Sequence, residues 1–110
     1  MPTWSALNMT VLVKRAAEVR LYVMDLSQLP EILGGDTVSS VTSITCVAAS
    51  VPGSTTDLTL TSKAVTSGNN GAQCKIAGGH DGITYILNFT VATTAGYTLT
   101  GIGYLYVDDR

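Results

Sequence analysis

Charge is scarce in this sequence. Lys, Arg, Asp and Glu make up 13% of the 110 residues, about half the share that is usual in soluble domains. The formal net charge is −2, and the basic residues form no block. Nucleic-acid-binding proteins concentrate Lys and Arg on one surface, so nucleic acid is not expected as the main partner. The apolar runs are far shorter than a membrane span, so no membrane partner is expected either.

A secretory signal and a cysteine framework are also missing. Residues 1–4 lack the positive start and long apolar stretch of a signal peptide, which predicts a protein that is kept in a cytosol or released by lysis. Two cysteines, Cys46 and Cys74, are too few for a disulfide scaffold. We expect reduced thiols in the core, and a disulfide between the two stays open as the alternative.

No catalytic constellation is found in the sequence. His80 and Asp81 lie in a glycine-rich turn, but no Ser or Cys nucleophile is placed with them by a known spacing. The same turn lacks the Lys and Ser/Thr of a phosphate-binding loop. Two cysteines and one histidine form no zinc motif, and the acidic residues form no spaced calcium loop. The sequence therefore predicts a protein that is not an enzyme, with no catalytic residue, cofactor or metal.

The chain is rich in the alternation that is typical of β-strands. The clearest strand follows a turn with three glycines, and from residue 84 to 91 apolar residues alternate with mostly polar ones. Ile86 is the exception on the polar row, which indicates that part of the outer face is covered too. Alternation in five segments predicts a core that consists of Val19, Leu21, Val23, Leu58, Leu60, Ile76, Tyr85, Leu87, Phe89, Val91, Leu105 and Val107.

These segments predict one domain, residues 1–110, that is all-β: an immunoglobulin-like β-sandwich of about seven strands. One short helical turn is expected in residues 27–33, capped by Ser27 and stopped by two glycines. A long strand with a bulge is expected in residues 36–50. Residues 1–6, or 1–13 if the first alternating segment is included, are interpreted as an N-terminal arm or edge strand. Residues 14–17 are interpreted as an exposed crossing.

The arm and the last strand supply the candidate contact residues. Tyr104 and Tyr106 share one face of the last strand, which fits a contact surface or, as the alternative, a second buried face. Gly101 and Gly103 lie on the opposite face and leave space for an aromatic ring or another chain. The candidate partner-contact residues are Trp4, Leu7, Met9, Val11, Tyr97, Tyr104 and Tyr106.

Two stretches of the chain resemble a known family. The motifs in them are Lys14, Asp25-Leu26-Ser27, Gly34-Gly35-Asp36-Thr37-Val38, Ile76-Ala77-Gly78-Gly79 and Gly82-Ile83-Thr84-Tyr85. They are similar to the pattern of small β-sandwich proteins of tailed bacteriophages described as fibre-tail adaptors. Those proteins have a Trp where this chain has Leu26, and residues 39–72 match little.

The resemblance implies a virion structural protein that is assembled in the host bacterial cytoplasm. It implies other virion proteins of the tail, connector or fibre as partners, and a homo-oligomer. In this role the arm could add a strand to the sheet of a neighbour. Two alternatives stay open: a capsid decoration or head-fibre protein on the same fold, and a glycan- or surface-binding module. In the glycan-binding module Trp4, Tyr97, Tyr104 and Tyr106 would form a stacking platform.

Overall fold

The structure is a computed structural model that describes residues 2–6, 10–48 and 58–108. In chain order its elements are β1 (Thr3–Ser5), β2 (Val11–Lys14), β3 (Arg20–Asp25), α1 (Pro30–Leu33), β4 (Val38–Ala48), β5 (Leu58–Val65), β6 (Gly71–Gly78), β7 (Thr84–Thr93) and β8 (Thr98–Val107). The first sheet has the order β1–β3–β6–β5, and the second has the order β2–β8–β7–β4. The prediction of an all-β sandwich is confirmed, with eight strands in the described residues. Its immunoglobulin-like character stays a prediction.

Alternation places the core as expected in the last two strands. In β7, Tyr85, Leu87, Phe89 and Val91 are each at most 1% exposed. In β8 the inward positions are buried as well, and β7 and β8 pair in antiparallel register. Both strands therefore turn one face to the first sheet and the other face outward.

The predicted inward face of β3 is wrong. Val19 lies before the strand and is 59% exposed, while Leu21 and Val23 are half-buried on the outer side. The inward residues are Tyr22 and Met24, both fully buried. Apolar residues stand on both faces of this segment, so its alternation does not show which face points into the core. A shift of one residue exchanges the two faces. The larger side chains of Tyr22 and Met24 fill more of the core.

The N-terminal residues that the structure describes, 2–6 and 10–14, contain two edge strands of the sandwich. β1 pairs in parallel with β3, and β2 pairs in parallel with β8, so each lies at the edge of one sheet. Trp4 is fully buried, and its ring stacks on Tyr22 with centroids 5.3 Å apart. The predicted strand residues Leu7 and Met9 lie outside the described residues.

Lys14 corrects the prediction of an exposed crossing at residues 14–17. It is the last residue of β2 and is 1% exposed. Its Nζ donates hydrogen bonds to the carbonyl oxygens of Arg15 at 2.7 Å, Ala16 at 3.3 Å and Gly78 at 2.6 Å. These acceptors replace water around the ammonium group, which makes its burial possible. Arg15 is exposed, as expected.

The helical turn lies in the expected segment, but its predicted cap is wrong. α1 begins at Pro30 with Leu29 as N-cap and without a side-chain cap. The N–H of Ser27 donates to Asp25 Oδ1 at 2.9 Å. Gly34 caps the C-terminus of α1. The bulge expected in the long strand is confirmed, since the register of β4 on β7 shifts twice, between residues 38 and 40 and between residues 41 and 43.

The two cysteines are buried thiols in opposite sheets, Cys46 in β4 and Cys74 in β6. Their expected location in the core is confirmed. Desolvation by burial raises the pKa of Cys74 to about 11, so this thiol is protonated at neutral pH.

Candidate contact face

The outer side of the second sheet carries no charge. β4, β7 and β8 contain no Lys, Arg, Asp or Glu. In the remaining strand, β2, the charged residue is Lys14, which is buried. Because the inward residues of these strands fill the core, the outward ones form a sheet surface without charged side chains.

An apolar row crosses all four strands on this surface. Val11 pairs with Tyr104, Tyr104 with Ile86, and Ile86 with Val47. Paired residues on neighbouring strands point to the same side, about 4.8 Å apart, so the row is about 14 Å long. Val11 and Val47 are 51% and 41% exposed, and the other two are half-buried.

The rows on either side extend the apolar area. Val13, which is 58% exposed, pairs with Tyr106 on one side. On the other side lies Ile102, which is 43% exposed and pairs with Asn88. Beyond Ile102 the surface is formed by the pair Thr90 and Thr100. We call the following residues the apolar face: Val11, Val13, Val47, Ile86, Ile102, Tyr104 and Tyr106.

Trp4 lies under this face and supports it from within. Its indole Nε1 donates a hydrogen bond to the carbonyl oxygen of Tyr104 at 3.0 Å. A Cβ atom at Gly103 would lie 2.5 Å from the indole Cδ2, so only glycine leaves room for the ring. The expectation that Gly103 makes space for an aromatic residue is confirmed. Trp4 itself has no exposed surface, which corrects both its assignment as a partner contact and its place in a glycan-stacking platform.

The structure brings only part of the predicted contact set together. Val11, Tyr104 and Tyr106 lie side by side on the apolar face. Tyr97 is 56% exposed but lies before β8, seven residues from Tyr104, which is about 23 Å along an extended strand. Leu7 lies outside the described residues, as does Met9.

The remaining members of the apolar face were missed by sequence reasoning. Ile86 gave a signal, since it breaks the polar row of its strand. Val13 was assigned to the first alternating segment but not to a contact surface. Val47 and Ile102 gave no signal of their own, because they join the face only through the register of β4 and β8 on β7.

A charged cleft borders the apolar face where β2 crosses to β3. It has a volume of about 280 Å³ and is lined by Val13, Lys14, Arg15, Glu18, Arg20 and Asp108. Glu18 Oε2 lies 2.8 Å from Arg20 Nη2. The backbone N–H of Arg15, together with the Arg20 guanidinium, lowers the pKa of Glu18. The face therefore has an apolar centre with a polar margin on one side.

Among residues 2–6, 10–48 and 58–108, no three His, Cys, Asp or Glu are grouped so that they could hold a metal ion. No helix in the same residues is long and apolar enough to cross a membrane.

One comparison with known proteins gives a match. The family model described as "Podophage GP4 fiber-tail adaptor protein gp77" matches residues 14–101. The match begins at the last residue of β2 and ends inside β8. Searches of curated proteins and of solved structures give no match.

Proposed function

Because this chain belongs to the podophage GP4 fiber-tail adaptor protein gp77 family, we propose that it attaches fibres to a phage tail through protein–protein contacts. Family membership confirms the resemblance found in the sequence and indicates a structural role in the tail, as a component of the virion. The attachment of fibres and the surface that makes it are our proposal.

The observation that carries the proposal is the uncharged, apolar outer surface of the second sheet. The centres of protein interfaces are depleted in charge and enriched in Tyr, and this surface has both properties. Two tyrosines and five aliphatic residues lie together there, and Val11, Val13, Val47 and Ile102 are more than two-fifths exposed. A continuous apolar surface on a soluble domain is typical of a contact site.

The chemistry of the face restricts the partner. A charged group that docks against the apolar face would lose water and find no opposite charge there, which is unfavourable. We therefore expect the tail or fibre protein to present an uncharged surface, with hydroxyl or amide groups that pair with the Tyr104 and Tyr106 side chains. Charges on the partner are expected only at the margin, opposite Arg15 and Arg20 in the charged cleft.

The test introduces charge into the apolar face without disturbing the fold. Ile102→Asp and Val47→Asp change half-exposed side chains, so each variant should keep the melting temperature of the wild type within a few degrees. Leu33→Asp is the matched control, because Leu33 is 67% exposed on α1 and lies outside the face.

Each variant is supplied to a phage that lacks the wild-type protein, and purified particles are examined. We expect Ile102→Asp and Val47→Asp to be lost from the particles, or to give particles without fibres, while Leu33→Asp assembles normally. Fibre-bearing particles that contain normal amounts of both face variants would refute the proposal.

A further inference from the structure

We infer that the outer edge of β4, together with the cleft beneath it, binds an extended and uncharged segment of a different virion protein. The segment pairs with β4 as a fifth strand of the second sheet, and its inward side chains fill the cleft between β4 and β5. The inference goes beyond the proposed function, because it concerns a strand edge and not the apolar face, and because it does not depend on fibre attachment.

One edge of β4 is open among the strands that the structure describes, since β4 pairs with β7 and ends its sheet. Hydrogen bonds at the two ends of β7 show which backbone groups face this edge. The N–H of Thr93 donates to the carbonyl oxygen of Tyr97 at 2.8 Å, and the N–H of Val107 donates to the carbonyl oxygen of Ile83 at 3.0 Å. Because successive residues of a strand bond to opposite sides, the odd-numbered residues of β7 bond to β8 and the even-numbered ones to β4.

The backbone groups of Ile44 therefore point toward the open edge. Thr45 pairs with the even-numbered Asn88 and bonds to β7, whereas the neighbouring Ile44 pairs with Phe89 and faces the other way. From Ser43 to Ala48 the pairing with β7 continues without a register shift over six residues. This regular stretch has the usual length of a strand and can accept another strand beside it.

The edge strand of the first sheet that borders the same cleft, β5, is protected against such pairing. The register of β5 on β6 shifts between Thr61 and Ala64, and Ser62 within the shift has a φ of 54°. Lys63 is exposed at the same place. Bulges and Lys side chains are the means by which natural edge strands avoid pairing. β4 contains no Lys and no Pro, and its register shifts lie before Ser43, so β4 is the strand that can accept a partner.

A cleft without charged side chains opens between the two edge strands. Its volume is about 480 Å³, which is within the range of ligand-binding pockets. Its lining residues come from β4 and β5: Ile44, Thr45, Cys46, Val47, Leu58 and Leu60. A strand that pairs with β4 turns every second side chain toward this cleft. A charged side chain would lose water there and find no opposite charge, so the inward residues of the segment are expected to be apolar.

The arrangement favours a detached segment over a second copy of this chain. The described strands of a second copy are all paired within its own sandwich, and their inward side chains already fill its core. An edge strand of such a copy could pair with β4 but would leave the cleft unfilled. A segment that belongs to no sheet satisfies the backbone groups of β4 and the apolar cleft together, as in strand addition to an open sheet edge.

The first test places a photoreactive residue in the cleft of assembled particles. Leu60, which is half-buried, is replaced by p-benzoylphenylalanine in protein that is supplied to a phage lacking the wild-type protein, and the purified particles are irradiated. The same replacement at Thr61 is the matched control, because Thr61 is exposed on the outer side of β5. Mass spectrometry identifies the cross-linked peptides. We expect position 60 to be joined to one segment of a different virion protein that has about six residues without charge. Position 61 should not be joined to this segment.

The second test uses the unmodified protein and measures the backbone pairing itself. Hydrogen exchange at single residues is compared between the free protein and purified particles. The N–H of Ile44 should exchange at least about tenfold more slowly in the particles, while the N–H of Thr45, which bonds to β7 in both states, should change little.

Equal exchange of the Ile44 N–H in both states would overturn the inference, as would cross-links from position 60 to copies of this chain alone or to no other protein. Fibre attachment through the apolar face is measured separately with Ile102→Asp. Ile102 lies outside the cleft, so the failure of one proposal leaves the other standing.

Discussion

The two outer surfaces of this sandwich differ in charge although they cover the same core. On the first sheet, Lys75 is exposed in β6 between Leu21 of β3 and Thr61 of β5, and Asp25 lies on the same side. On the second sheet no charged side chain points outward. A sheet that faces water on one side needs polar residues there. The first surface meets that need with charged side chains, and the second does not.

The largest effect on stability is expected at Trp4, whose ring packs between Tyr22 of the first sheet and Phe89 of the second. Trp4→Ala should lower the free energy of unfolding by about 3–5 kcal/mol, because a fully buried indole leaves a cavity. The carbonyl oxygen of Tyr104 also loses its indole donor. Denaturant unfolding followed by circular dichroism measures the loss. Trp4→Phe, which keeps a ring, should lose less; a change below about 1 kcal/mol in Trp4→Ala would contradict the packing described.

A second comparison uses the two inward glycines of β8. Gly103→Ala should cost about 1–3 kcal/mol, because its Cβ would lie 2.5 Å from a rigid indole ring. Gly101→Ala should cost less, because its Cβ would lie 2.8 Å from Met24 Sδ, at a flexible side chain that can move. The two free energies of unfolding, measured side by side, decide the order. The reverse order would mean that the indole does not fill this space.

The third prediction concerns alkaline pH and the layer beneath the charged surface. Burial raises the pKa of Cys74 from 9.0 to about 11, so the folded protein favours the neutral thiol. The contribution of this thiol to the free energy of unfolding is fully present below pH 9. As the pH rises toward 11 the thiol of the unfolded chain ionises first, so the free energy of unfolding falls, by about 1 kcal/mol at pH 10. Cys74→Ala should flatten the fall in melting temperature between pH 8.5 and about 10.5. An equally steep fall in the variant would assign the effect to other groups.

A change at Lys75 is the most direct test of the difference between the two outer surfaces, although its expected effect on stability is the smallest. Lys75→Leu on the outer side of the first sheet should change the free energy of unfolding by less than about 0.5 kcal/mol, because Lys75 is exposed. It should nevertheless create a new apolar area with Leu21 and Val23 and cause self-association, detected by light scattering. Lys75→Gln is the control that keeps the position polar. If Lys75→Leu stays monodisperse, charge depletion alone does not make a contact surface in this protein.

The sequence predicted those parts of the fold in which only one row of a strand is apolar. β7 is the clearest case, since its inward residues and the exceptional Ile86 were both recognised. β3 shows the limit, because Leu21 and Tyr22 both suit a core. The choice between them depends on Trp4, which is distant in sequence and stacks on Tyr22. Local patterning cannot include such a contact.

The candidate site was predicted in part for a related reason. Tyr104 and Tyr106 were found because both lie on one strand, where a period of two is visible. Val47 joins them only through Ile86, by the pairing of β4 with β7 and of β7 with β8. Lys14 was misplaced because the carbonyl oxygen of Gly78, which accepts a hydrogen bond from Lys14 Nζ, is 64 residues away in the chain. Strand register and long-range polar contacts cannot be predicted from local sequence, because they depend on residues that are distant in the chain.

The absence of charge on the second sheet also determines how a protein contact on this surface would respond to salt concentration and temperature. Dissolved ions weaken attraction between charges, so a contact made by aliphatic and tyrosine side chains should hold equally well in dilute and in concentrated salt. Cooling, by contrast, should weaken such a contact, because the hydrophobic contribution to binding decreases at low temperature. A protein contact on the apolar face would tolerate wide changes in ionic strength and would be weakest at low temperature.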